Sequence, residues 1–109
     1  MDTTLNRGAI AGALMALFFV PVSPAAAAEH QITIAGMKFI PASVALKAGD
    51  VVVWKNDDMF RHTATARGGS FDVDLPPKAE KRVKITAAGA VDYYCRFHPA
   101  MKGKLEVEP

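Results

Sequence analysis

From residue 29 onward, apolar and polar residues alternate in short runs, with the two-residue period of strands rather than the 3.6-residue period of helices. Residues 31–34 alternate and meet Gly36, and residues 43–47 alternate and stop at Ala48-Gly49-Asp50, a turn signal. Residues 51–55 are β-branched and aromatic through Trp54, and close at Asn56-Asp57-Asp58. Further runs cover 63–65, 71–75, 82–86, 91–95 and 104–107, with Gly68-Gly69 and Pro76-Pro77 among the breaks. No amphipathic stretch reaches helical length, although a single turn fits residues 58–61 or 76–81. The pattern predicts an all-β fold, a Greek-key β-sandwich of about seven or eight strands forming one domain.

The N-terminal stretch has a different character. Arg7 precedes an apolar run over residues 8–20, which ends in Pro21, Pro24 and the alanines 25–28. A basic residue, a short apolar run and an A-x-A ending predict a signal peptide over residues 1–28, cleaved after Ala27 or Ala28. Spanning a bilayer takes about 20 apolar residues, so the run is short for an anchor. The expectation is a periplasmic domain at 29–109, a monomer with no membrane attachment after cleavage. Thirteen basic and eleven acidic side chains give a net charge of +2, too balanced to argue for nucleic acid. The single cysteine, Cys95, cannot form an internal disulfide in an exported chain, so it is either buried and inert or taken by a metal.

The segment Cys95-Arg96-Phe97-His98-Pro99-Ala100-Met101 favours the metal. Singly, a cysteine at a strand end, a histidine and a loop methionine all have ordinary explanations as core or surface residues. Together, thiolate, imidazole and thioether form the donor set that suits copper over zinc, calcium or magnesium. The ligands are spaced three residues apart, which lets a tight turn bring them to one point, and Pro99 stiffens that turn. His62, after the 51–55 strand and its loop, supplies a second imidazole. The set His62, Cys95, His98 and a weak axial Met101 would hold one Cu(I)/Cu(II) ion.

These residues lie within a wider resemblance. Ala48-Gly49-Asp50 before a strand with Trp54, Asn56-Asp57 leading to His62-Thr63, Gly89 with Asp92-Tyr93-Tyr94-Cys95, and His98-Pro99 with Met101-Lys102-Gly103 resemble the cupredoxins, the blue copper proteins. The similarity runs over essentially all of residues 29–109, and the short C-x-x-H-x-x-M loop is most similar to amicyanins. The resemblance implies the same four ligands, with Asn56, Thr63 and Phe97 around them. Amicyanins and plastocyanins usually carry Asn where Thr63 stands, a position that ties the two ligand loops together. They usually carry Pro where Phe97 stands. The Phe97 N–H is therefore expected to donate to the Cys95 sulfur and raise the reduction potential.

The resemblance also implies that electrons pass through the edge of His98. Met59, Phe60, Pro99 and Ala100 would form an apolar docking patch, and Arg61, Arg96 and Lys102 a basic rim that suits an acidic partner. The expected function is a one-electron carrier, not an enzyme, between a donor such as a quinoprotein amine dehydrogenase and an acceptor such as a c-type cytochrome. Copper delivery or storage is the alternative, and a cupredoxin whose site is empty or holds zinc is a third reading. His30 is expected to have no role, unless cleavage after Ala27 makes Ala28-Glu29-His30 a terminal Cu(II) chelate.

Overall fold

The computed structural model describes Pro21 and residues 26–109, so most of the expected signal peptide lies outside the described residues. Nine strands follow in order: β1 (Glu29–Ala35), β2 (Lys38–Ile40), β3 (Ser43–Lys47), β4 (Val51–Asn56), β5 (His62–Ala66), β6 (Asp72–Leu75), β7 (Glu80–Lys84), β8 (Gly89–Tyr94) and β9 (Lys102–Glu108). They form two sheets, β2-β1-β4-β7 and β3-β9-β8-β5-β6, which make the expected all-β sandwich. β1–β4 and β3–β9 pair in parallel, and the other neighbours pair antiparallel.

The alternation read from the sequence becomes the core. In β9, Gly103, Leu105 and Val107 face inward while Lys102, Lys104, Glu106 and Glu108 face solvent, as in an antiparallel sheet wetted on one side. Ile32, Ile34, Val52 and Leu105 are fully buried, and Trp54 packs against Tyr93 with ring centroids 5.5 Å apart. Phe39 and Phe71 close on the same rings at 4.7 and 5.1 Å. Each large apolar side chain buried in this way contributes about 1.5–3 kcal/mol.

Two elements differ from the expectation. β2 was not foreseen; it has only three residues and stops against Pro41, so it offers too little alternation to register. β7 lies at Glu80–Lys84 rather than 82–86. Ile85 leaves the strand because its N–H donates to Asp50 O and its carbonyl accepts from Gly49, at 2.8 and 2.7 Å. Its side chain nevertheless stays in the core.

Asp50 fixes the entry to β4. Its carboxylate accepts the Lys47 N–H at 3.0 Å, the Ala28 N–H at 3.1 Å and a contact from His30 Nε2 at 3.0 Å. These bonds, led by that from Lys47, hold its carboxyl below the usual carboxylate range. A depressed folded-state value stabilises the protein above the unfolded value and loses that contribution as pH falls through the folded one. Asp50→Asn is therefore expected to flatten the fall of melting temperature as pH drops below about 5. An acid limb as steep as that of the parent would contradict this role.

Candidate metal centre

Two loops at one end of the sandwich build the site, and buried polar groups hold the first of them. Asn56, the last residue of β4, is fully buried. Its amide donates to Phe60 O at 2.7 Å and Leu75 O at 2.9 Å, and its carbonyl accepts the Asp58 N–H at 2.9 Å. This clamp shapes residues 57–61 and delivers His62 to the start of β5. Asp58 then reaches back to the two-residue turn between β1 and β2, accepting the N–H groups of Gly36 and Met37 at 2.8 and 3.0 Å.

The same carboxylate lies 2.9 Å from His62 Nε2. Burial pushes the Asp58 carboxyl up, but the bonds from Met37, His62 and Gly36 outweigh it and keep the group below the usual range. An ionised acceptor at Nε2 assigns the ring proton to that nitrogen. Nδ1 is left with a free lone pair, the tautomer a metal requires. The sequence reading missed Asp58. Its four-residue separation from His62 was visible, but its anchors 21 and 22 residues upstream were not.

The second loop folds as two successive turns. The His98 N–H donates to Cys95 O at 3.2 Å, and the Met101 N–H donates to His98 O at 2.8 Å. The Cys95 N–H closes the loop on Met101 O at 3.1 Å. Cys95 Sγ lies 3.7 Å from both His62 Nδ1 and His98 Nδ1. His62 and Cys95 are 0% exposed, Met101 is buried and His98 is half-buried. Among the described residues, His62, Cys95 and His98 are the one group of three His, Cys, Asp or Glu side chains with converging donor atoms.

The donors fit a metal ion. Nitrogen at about 2.05 Å and sulfur at about 2.3 Å from a common ion, spread at about 120°, lie about 3.8 Å apart. Both N···S separations come close to that value, whereas a thiol hydrogen bond would draw one nitrogen in and leave the other. Thr63 joins the two loops. Its N–H donates to Cys95 Sγ at 3.3 Å, and its hydroxyl accepts the Arg96 N–H at 2.9 Å. The hydroxyl then donates to Thr65, which donates to Asp72.

The bond expected from Phe97 is not made. Among the described residues, the backbone N–H that reaches the sulfur is that of Thr63, because β5 runs alongside Cys95. The Phe97 ring is 50% exposed. It lies 6.0 and 5.7 Å from the Arg61 and Arg96 guanidinium groups.

The basic rim also changes in character. Arg61 grips Asp74 with two bonds, at 2.9 and 2.5 Å, and Arg96 pairs with Asp72 at 3.1 Å. Lys102 is left as the rim cation without a carboxylate partner among the described residues. The apolar residues are exposed as expected: Met59 is 75% and Phe60 60% exposed, and Pro99 and Ala100 lie on the surface beside His98.

Known proteins resemble this chain along most of its length. A family model described as "Cupredoxin-like domain" matches residues 8–107. Amicyanin-alpha of Methylorubrum extorquens is 38% identical over 104 residues, spanning 90% of this chain and 83% of that protein. The reduced state of an amicyanin variant with phenylalanine in place of a proline superposes with a TM-score of 0.63 at 31% identity, covering 75% of this chain and 82% of that one. A copper-containing nitrite reductase from Thermus scotoductus gives 0.66 at 24% identity over 81% of this chain, a likeness of fold alone. The chain spans about a quarter of that reductase, 23%. With the family pattern matched over residues 8–107 and a cysteine and two histidines converging at one end of the sandwich, the chain belongs to the cupredoxin-like family, close to the copper-binding amicyanins.

Proposed function

We propose that the chain is a periplasmic one-electron carrier whose His62, Cys95 and His98 would hold one copper ion, with Met101 as a weak fourth donor. Bound copper supplies a one-electron Cu(I)/Cu(II) couple. The observation that carries this reading is the convergence of two Nδ1 atoms on one buried sulfur at equal distances of 3.7 Å. Asp58 fixes the tautomer of His62, and the Thr63 N–H stabilises thiolate charge on Cys95. His62, Cys95 and His98 would offer copper a donor set acceptable to both oxidation states, and the strands and turns that fix them would keep reorganisation small. Four protein donors leave no open position for a substrate, which supports a carrier rather than an enzyme.

His98 is the one strong donor of the three that is not buried, beside Phe97, Pro99 and Ala100, so partners would dock there, with exposed Met59 and Phe60 as further members of the patch. By likeness to the amicyanins, a quinoprotein amine dehydrogenase would be the donor and a c-type cytochrome the acceptor. With Arg61 and Arg96 neutralised by Asp74 and Asp72, that docking depends mainly on apolar contact and only weakly on ionic strength. For export, cleavage after Ala27 suits the fold better than cleavage after Ala28. It retains the Ala28 carbonyl, which accepts the Val51 N–H at 2.9 Å. A terminal chelate at Ala28-Glu29-His30 would then have to break the contacts of Ala28 and His30 with Asp50.

Titrating the apoprotein with Cu(II) tests the assignment. One equivalent should produce an intense blue charge-transfer colour that ascorbate bleaches and ferricyanide restores. A colourless complex, or copper that a mild chelator strips at once, would defeat the carrier reading and favour copper delivery.

A further inference from the structure

Burial of the strong donors raises the question of how an ion reaches them. His62 and Cys95 are 0% exposed and Met101 is buried, so the approach must pass beside His98. An open apolar hollow lies there, lined by Met37, Phe97, His98, Pro99, Ala100 and Met101. Met37 carries the one side-chain donor in that lining beyond the four proposed ligands. A bare cation entering an apolar hollow loses hydration without compensation, whereas a thioether is a donor that Cu(I) favours.

The backbone supplies an independent observation. Gly36 and Met37 form the tight β1–β2 turn with φ of 59° and 64°. Glycine and asparagine suit such positions, whereas a side chain like that of methionine is strained there. Strain held beside a site points toward a role for the residue that bears it. Asp58 over-determines the turn by accepting both of its N–H groups, and so keeps Met37 in the lining of the hollow.

We infer that Met37 is a transient Cu(I) ligand at the mouth of the site, receiving the ion from a donor complex and passing it to His98 and Met101. In the transfer, bonds from the donor complex to Cu(I) break as bonds to Met37, then His98 and Met101, form. The Cys95 thiol releases its proton to solvent as the thiolate binds, and no oxidation-state change is required. The inference rests on the four-ligand reading above.

The test is anaerobic stopped-flow mixing of apoprotein with the purple Cu(I)–bicinchoninate complex, following loss of its colour. Wild type should take up one equivalent; no uptake would sink the four-ligand reading itself. Given wild-type uptake, Met37→Leu should slow the reaction by about tenfold, equivalent to about 1.4 kcal/mol in the barrier. Its final uptake and its colour after oxidation should match wild type. Ile40→Val, a change at an exposed apolar residue outside the lining, should leave the rate unchanged. An unaltered rate in Met37→Leu, equal slowing in both variants, or a changed final affinity or spectrum in Met37→Leu would each overturn the inference. The last outcome would make Met37 a structural part of the finished site instead.

Discussion

Cys95→Ser will fold and yet fail to turn blue with Cu(II). The intense colour requires a thiolate–copper bond, and an alkoxide does not form at neutral pH under the conditions that deprotonate a metal-bound thiol. Serine is close in size to the residue it replaces, but Cys95 is wholly enclosed and its sulfur takes the Thr63 N–H. The scaffold should therefore persist while the copper chemistry goes. Copper affinity should drop by more than the roughly 10–100-fold typical of losing a partner that merely orients a ligand. The increase in melting temperature that copper gives wild type should shrink accordingly. Absorption spectroscopy and a melting curve with and without copper suffice to check this. A blue Cys95→Ser protein would remove the sulfur from the site.

The second large effect falls on the fold itself. A Cβ on Gly103 would overlap the Tyr93 side chain opposite it in the β8–β9 ladder, with Cε1 at 2.5 Å and Cζ and the hydroxyl oxygen nearer still. Tyr93 cannot easily yield, being pinned between Trp54, Phe39 and Phe71. Burial has already pushed its hydroxyl up to about 12. Gly103→Ala should cost about 3 kcal/mol, the upper end of the usual overpacking range. A double variant with Tyr93→Leu should recover part of that loss, because the smaller side chain leaves room for the methyl group. Chemical denaturation would measure both values, and a Gly103→Ala protein as stable as wild type would show that the ring can move aside. Tyr93→Phe alone should be neutral or slightly stabilising, since the buried hydroxyl has no hydrogen-bond partner among the described residues.

The contrast between these residues shows what a linear reading can reach. Cys95, His98 and Met101 are close in sequence because one loop carries them, and β9 announces itself through unbroken alternation. Gly103 looks like an ordinary turn glycine in the string, and only the pairing with Tyr93 shows that it makes room for a ring. Asp58 likewise reads as turn chemistry until its bonds to Gly36, Met37 and His62 bring three segments together. The pairing of Arg61 and Arg96 with Asp74 and Asp72 follows from β6 lying beside β5, a matter of sheet order rather than local sequence. Phe97 illustrates the converse: loop composition suggested a sulfur donor, but the direction of its N–H is set by the turn. The neighbouring strand places the Thr63 N–H there instead.

One feature of the centre constrains how such a carrier can work in a chain of partners. His98 is the one strong donor of the three that is not buried, so on the proposed reading there is a single door for electrons, beside Phe97, Pro99 and Ala100. A donor seated on that proposed door would block any acceptor, and the two would have to take turns. Tight binding to either would then stall the cycle, which favours brief encounters.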